Sequence, residues 1–261
     1  MEECRQMSKY TRLLILIFTL VFPLTPQQSS AQPASQFKDR AYYEERGDIV
    51  WEVPTEDKYI ALTFDDGPDH RQTPQILDVL DQYNAKATFF VVGERVEKYP
   101  EIVQLQLARG HEVANHSYQH PSFRGMAKSK MQNELSKTQQ IIFQATGYKA
   151  ALFRSPGGFY NEELIQVSKQ NDLKFILWSW HQDTKDWKAP GVNKIVKRVL
   201  SGARSGDIVL MHDYVANSNQ TIEALKQILP ELKKRGYSFV TVSELLSHKV
   251  TPDHLLEKVT H

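Results

Sequence analysis

Beyond Tyr59 the sequence alternates short apolar runs with longer stretches of helical period. The runs YIALTF, ATFFVVG, HEVANHS, ALFRSP, KFILWSW, DIVLMHD and SFVTVSEL are rich in Val, Ile, Phe and Tyr and too short for helices, so each predicts a strand. Between them, TPQILDVLDQYN puts Ile76, Leu77, Leu80 and Tyr83 on one helical face, with Pro74 near the start. PEIVQLQLARG ends at Gly110 and SKMQNELSKTQQIIFQATG at Gly147, as helices with a glycine stop do. QTIEALKQILPELKKRG ends at Gly236 and carries Pro230, which predicts a kink or a break in two. Residues 32–57 are polar and mixed, with at most a short strand at Asp48–Val53.

Alternating strands and helices imply parallel strands joined by crossovers, an α/β class. Either an open doubly wound sheet or a closed barrel accommodates these units. No G-x-G-x-x-G loop follows the first strand, which counts against dinucleotide binding. The polar residues sit at strand ends: Asp65 and Asp66 after the first run, His116 after the third, Arg154 at the fourth, Asp183 and Asp186 after the fifth, His212 at the sixth. In a parallel barrel the C-terminal strand ends share one rim, where catalytic side chains gather.

The ends of the chain read differently. Arg5, Lys9 and Arg12 precede the apolar run LLILIFTLVFPL, and Ser29 and Ala31 offer small residues at a cut site. This predicts a signal peptide over residues 1–31, an extension over 32–57, one domain over 58–248 and a tail over 249–261. An uncleaved anchor is the alternative, although a spanning helix needs about 20 apolar residues and this run is shorter and contains Pro23. Export predicts a secreted or wall-associated protein with no membrane span once the signal is cut. The single cysteine, Cys4, precedes the apolar run, so the mature chain would be stable without disulfides. The net charge of +1 gives no basic field and excludes nucleic acid as an expected partner.

HSYQH places His116 and His120 four residues apart, on one face if the turn is helical. With a carboxylate from another strand end, two imidazoles would hold a divalent ion and leave positions open for water. Adjacent residues leaving a strand point in different directions, so Asp65 and Asp66 need not share a task. One can bind the ion while the other accepts a proton from water. The bland reading is a turn with two solvated acids before Gly67 and Pro68. Two His and one carboxylate also suit a non-haem iron oxygenase, but those sites usually lie on β-sandwiches.

The motifs TFDDG, HSYQH, RSPGG, DTKDW and LMH, in that order between Tyr59 and Leu246, resemble those of the polysaccharide deacetylases with a NodB homology domain, carbohydrate esterase family 4. The resemblance implies a distorted (β/α) barrel of about seven parallel strands, with the site at their C-terminal ends. It implies Asp65 as general base and Asp66, His116 and His120 as ligands of one divalent ion, zinc or alternatively cobalt. It implies that Arg154 pairs with Asp65, that His212 protonates the leaving amine, and that Asp183 orients His212. Gly157 would donate a backbone N–H to the oxyanion, and Trp187 would line the groove or brace the histidine. Asp186 and Asp213 stay outside this catalytic set. Many members have Arg-Pro-Pro-Tyr-Gly where this chain has Arg154-Ser155-Pro156-Gly157-Gly158, which widens one wall. Trp178 and Trp180 are expected in the core rather than as sugar platforms, with His181 close to the site. The implied reaction removes N-acetyl groups from an amino-sugar glycan. Export favours peptidoglycan; a chitooligosaccharide substrate and a silent carbohydrate-binding barrel are the alternatives.

Overall fold

The computed structural model describes residues 38–250, so the expected signal peptide, its cut site and most of the C-terminal tail lie outside the described residues. The parallel sheet contains β1 (Ile49–Val50), β2 (Tyr59–Asp65), β3 (Ala87–Val91), β4 (Glu112–Asn115), β5 (Leu152–Phe153), β6 (Lys174–Ile176) and β7 (Ile208–His212) in the spatial order β1-β6-β5-β4-β3-β2-β7. A short β8 (Ser238–Phe239) pairs with the start of β2. The sheet curls into the distorted barrel that the family resemblance implies, one of the two architectures the alternation left open. Its two edge strands, β1 and β7, share no ladder; single bridges join Glu52 to Asp207 and Asp183 to Leu210 across the seam.

The helices are α1 (Arg40–Glu45), α2 (Gln72–Gln82), α3 (Gly93–Lys98), α4 (Pro100–Ala108), α5 (Lys128–Thr146), α6 (Glu162–Gln170), α7 (Val192–Gly202), α8 (Gln220–Lys234) and α9 (Val242–Ser247). Alternation along β2 explains how helices and sheet share the core. Ile60, Leu62 and Phe64 face outward into a buried cluster with Ile76 and Leu80 of α2, Val199 of α7 and Leu225 of α8. Ala61 faces inward with Phe90, Ala114 and Ile208. The same inward column continues through Thr63 to Asp65, so a buried apolar barrel ends in a carboxylate at its rim.

Two expectations need correction. Of the kink or break expected at Pro230, the break does not occur, because α8 runs continuously past it. Leu225, Ile228, Leu229 and Leu232 bury one face on both sides of the proline, and that packing outweighs the cost of about 3 kcal/mol for the missing hydrogen bond and the ring clash. The run SFVTVSEL is a strand only at Ser238–Phe239; Thr241 then caps α9 by accepting from the Glu244 N–H at 3.2 Å. Residues 38–57 pack against the barrel, burying Tyr43, Ile49, Trp51 and Val53 and supplying β1.

Candidate active site

Asp65 ends β2 and lies in register with His212 of β7 on one side and Phe90 of β3 on the other. It is 4% exposed, and its Oδ1 accepts from the Arg154 guanidinium at 2.7 Å. Arg154 is fully buried. It also donates to the Thr63 hydroxyl at 2.8 Å and the Leu177 carbonyl at 2.9 Å, and lies 4.0 Å over the Phe90 ring. Burial lowers the Arg154 pKa and the Asp65 charge partly offsets it, while a guanidinium keeps its proton in proteins. A buried guanidinium with these partners holds the Asp65 side chain in place at the rim.

Asp66 leaves the strand with φ +74, in the left-handed region. Strand alternation would turn its side chain away from that of Asp65; the reversed φ brings both carboxylates to one imidazole. His116 Nε2 is 3.7 Å from Asp65 Oδ2 and 3.4 Å from Asp66 Oδ1, and His120 Nε2 is 3.1 Å from that same Asp66 atom. Neither imidazole is angled for a hydrogen bond, so Asp66 Oδ1 is a buried acceptor without a hydrogen-bonded donor. Burial acts to raise the Asp66 pKa, but the two neighbouring imidazoles prevail and hold it below the usual carboxylate range. His116 Nδ1 lies 2.8 Å from the Arg154 carbonyl, which can accept only from Nδ1–H. That tautomer leaves the Nε2 lone pair free toward Asp66 and His120. Three donor atoms, one of them this orphaned oxygen, thus lie within 4.8 Å of one another, and the set fits a divalent ion. His116 and His120 do not share a helical turn as the spacing suggested. The segment is a loop in which Ser117 and His120 take φ of +68 and +56.

On the other side of Asp65, His212 Nδ1 is 2.7 Å from Asp186 Oδ1, and the His212 N–H donates to Asp186 Oδ2 at 2.9 Å. The Thr221 hydroxyl donates to that same oxygen at 2.7 Å. Burial works to lower the His212 pKa, but Asp186 outweighs it and the imidazole is pushed up to about 9. This corrects the assignment of Asp183. Its side chain accepts only from the Lys185 N–H at 3.1 Å, and its backbone bridges to Leu210 at the seam. Asp186, set aside in the sequence reading, is fully buried in a one-turn helix whose flanks Lys185 and Ala189 have left-handed φ. The motif DTKDW shows two acids three residues apart, and only the turn decides which reaches the histidine. Asp213, also set aside, accepts from the Thr73 hydroxyl at 2.6 Å, and burial raises its pKa to about 7.

The polysaccharide deacetylase family matches residues 52–176. A peptidoglycan-N-acetylglucosamine deacetylase of Bacillus cereus is 47% identical over 210 residues, covering 80% of this chain and 98% of its own. The chain belongs to the polysaccharide deacetylase family. Among solved members of similar fold, peptidoglycan deacetylase PdaC from Bacillus subtilis has 38% identity and a TM-score of 0.70, covering 79% of this chain and 98% of that one. A family pseudoenzyme from Bacillus anthracis has 30% identity and a TM-score of 0.72, over 78% and 70% of the two chains. Family membership and fold therefore do not by themselves establish turnover; the side chains must.

In this polysaccharide deacetylase, Gly157 sits at φ +62 with open space where a side chain would stand. Trp187 is 53% and Trp180 66% exposed, which removes Trp180 from the expected core; Trp178 is half-buried. The Trp187 N–H donates to Asp186 at 3.0 Å, so its backbone braces the acid that holds His212. His181 is not at the site. It pairs with Asp207 at 3.0 Å, at the start of β7 and roughly 15 Å of strand below His212. Glu52 completes that seam cluster, where Asp207 also accepts from Gln182 and the Arg204 N–H.

Proposed function

We propose that the chain is an exported, metal-dependent N-deacetylase acting on peptidoglycan. The carrying observation is that Asp65, fixed by buried Arg154, stands between the donor set Asp66, His116 and His120 and the His212–Asp186 pair. A base, an ion site and a charged acid meet at one rim. A divalent ion held by Asp66, His116 and His120, zinc or alternatively cobalt, would supply Lewis acidity.

The side chains account for the proton movements of acetamide hydrolysis. Asp65 accepts the proton of the attacking water, and Arg154 orients that carboxylate. The Gly157 N–H donates to the oxygen on which negative charge develops. His212, held cationic by Asp186, gives its proton to the nitrogen as the carbon–nitrogen bond breaks, leaving acetate and a free amino sugar. Trp187 lines the groove beside it. Every group this chemistry needs is present, which favours the enzyme over a silent barrel. The B. cereus and B. subtilis relatives, both named for peptidoglycan, support that polymer as substrate. The expected result is acetate release from N-acetylated peptidoglycan, lost with a chelator and restored by zinc. Release that is undiminished by exhaustive chelation would reject the metal-dependent reading; no release from peptidoglycan or from chitooligosaccharides would reject the deacetylase.

A further inference from the structure

We propose that the hollow between His120 and Phe159 binds a carboxylate carried by the glycan, and that Arg124 recognises it. This rests on the deacetylase reading and concerns which glycan the site prefers. The hollow measures about 320 Å³ and is lined by His120, Pro121, Ser122, Arg124, Gly157 and Phe159 among others; none of its lining side chains is acidic. It therefore opens directly beside the ion-site residue His120. Arg124 lies 5.4 Å over the Phe159 ring, a stacking that restrains its guanidinium at the rim. Phe123, fully buried against Phe153 at 6.1 Å, anchors the loop that carries it. Five of the ten arginines among the described residues pair with a carboxylate; Arg124 is one of those that do not, and it is the one that lines the hollow beside His120. An unpaired, oriented guanidinium beside a reaction centre is built for an incoming anion.

The second observation is room. Gly157 also borders an aromatic hollow of about 160 Å³, with Trp51, Tyr160, Trp178 and Trp180. The two hollows meet at a residue with no side chain and nothing within 4 Å of where one would begin. A substituent larger than a hydroxyl on the bound sugar, or on its neighbour, therefore has space on this side. A neutral N-acetylglucosamine oligomer offers no anion for Arg124. A muramic residue does, either through its lactyl carboxylate or, when that group is amidated, through the acids of its peptide.

The experiment compares kcat/KM of wild type, Arg124→Gln and Arg124→Lys on three substrates: a neutral N-acetylglucosamine oligomer, a muramyl oligomer with free lactyl groups, and a peptide-bearing muramyl oligomer. One charged hydrogen bond at an exposed site predicts a loss of about tenfold in Arg124→Gln on at least one carboxylated substrate relative to the neutral one. Arg124→Lys should recover part of it, and added salt should erode the wild-type preference. The substrate that suffers identifies the carboxylate. Equal changes on all three would overturn the proposal while leaving the deacetylase intact. Acetate from none of them with wild type would overturn both.

Discussion

At the residue scale, the left-handed φ at Asp66 gives two adjacent acids different partners. One carboxylate is tied to Arg154 and the other to two imidazoles. The partner of His212 gives a sharp test. Its pKa of about 9 is held up by Asp186, so the alkaline limb of kcat/KM should lie near that value in the wild type. Asp186→Asn should move the limb at least one unit lower, whereas Asp183→Asn should leave it in place; the reverse result would restore Asp183. Stability follows the same sign. A histidine raised from 6.5 to about 9 contributes its full stabilisation below pH 6.5 and loses it as pH rises through 9. The gap in melting temperature between wild type and Asp186→Asn should accordingly narrow across that window. Asp65, Asp66, Arg154, His116 and His212 were legible in the sequence because each ends or follows a strand, and His120 because it stands four residues from His116. Asp186 was not, because its reach depends on left-handed φ at Lys185 and Ala189, which no periodicity encodes.

At the element scale, the end of β7 and the start of α2 meet over a glycine. A Cβ on Gly67 would stand inside the van der Waals radius of the Asp213 carboxylate, which is buried and accepts from Thr73 of α2. Gly67→Ala should therefore cost about 1–3 kcal/mol by overpacking, visible in denaturant unfolding, and should weaken metal binding through its neighbour Asp66. An unchanged unfolding midpoint would mean that this junction has slack. The strands were readable from the apolar runs, since parallel strands covered by helices are buried on both faces. The ends of elements were harder. Thr241 and Glu244 do carry a helix-start spacing, but the β-branched residues around them read equally as strand. The continuity of α8 past Pro230 was hidden because it comes from tertiary burial, which overrides a local penalty.

At the scale of the whole molecule, the barrel brings the carboxylate that follows β2 and two imidazoles from the loop after β4 to one point, so a bound ion would tie strand ends together. Zinc at a hundredfold excess over its dissociation constant would stabilise the fold by about 2.7 kcal/mol. Chelation should lower the melting temperature reversibly, and His120→Ala should make it indifferent to zinc; a zinc response surviving in that variant would place the ion elsewhere. The α/β class was legible from alternation and the rim from the polar residues at strand ends. The seam was not, since it is closed by single bridges from Glu52 and Asp183 rather than by ladders with a pattern of their own. The most direct test of the account compares Asp65→Asn with Asp66→Asn, measuring bound metal per chain and acetate released by each protein. Asp65→Asn should keep its metal and lose turnover by several orders of magnitude, and Asp66→Asn should lose the metal itself; equal metal loss in both variants would contradict the division of labour between the two acids.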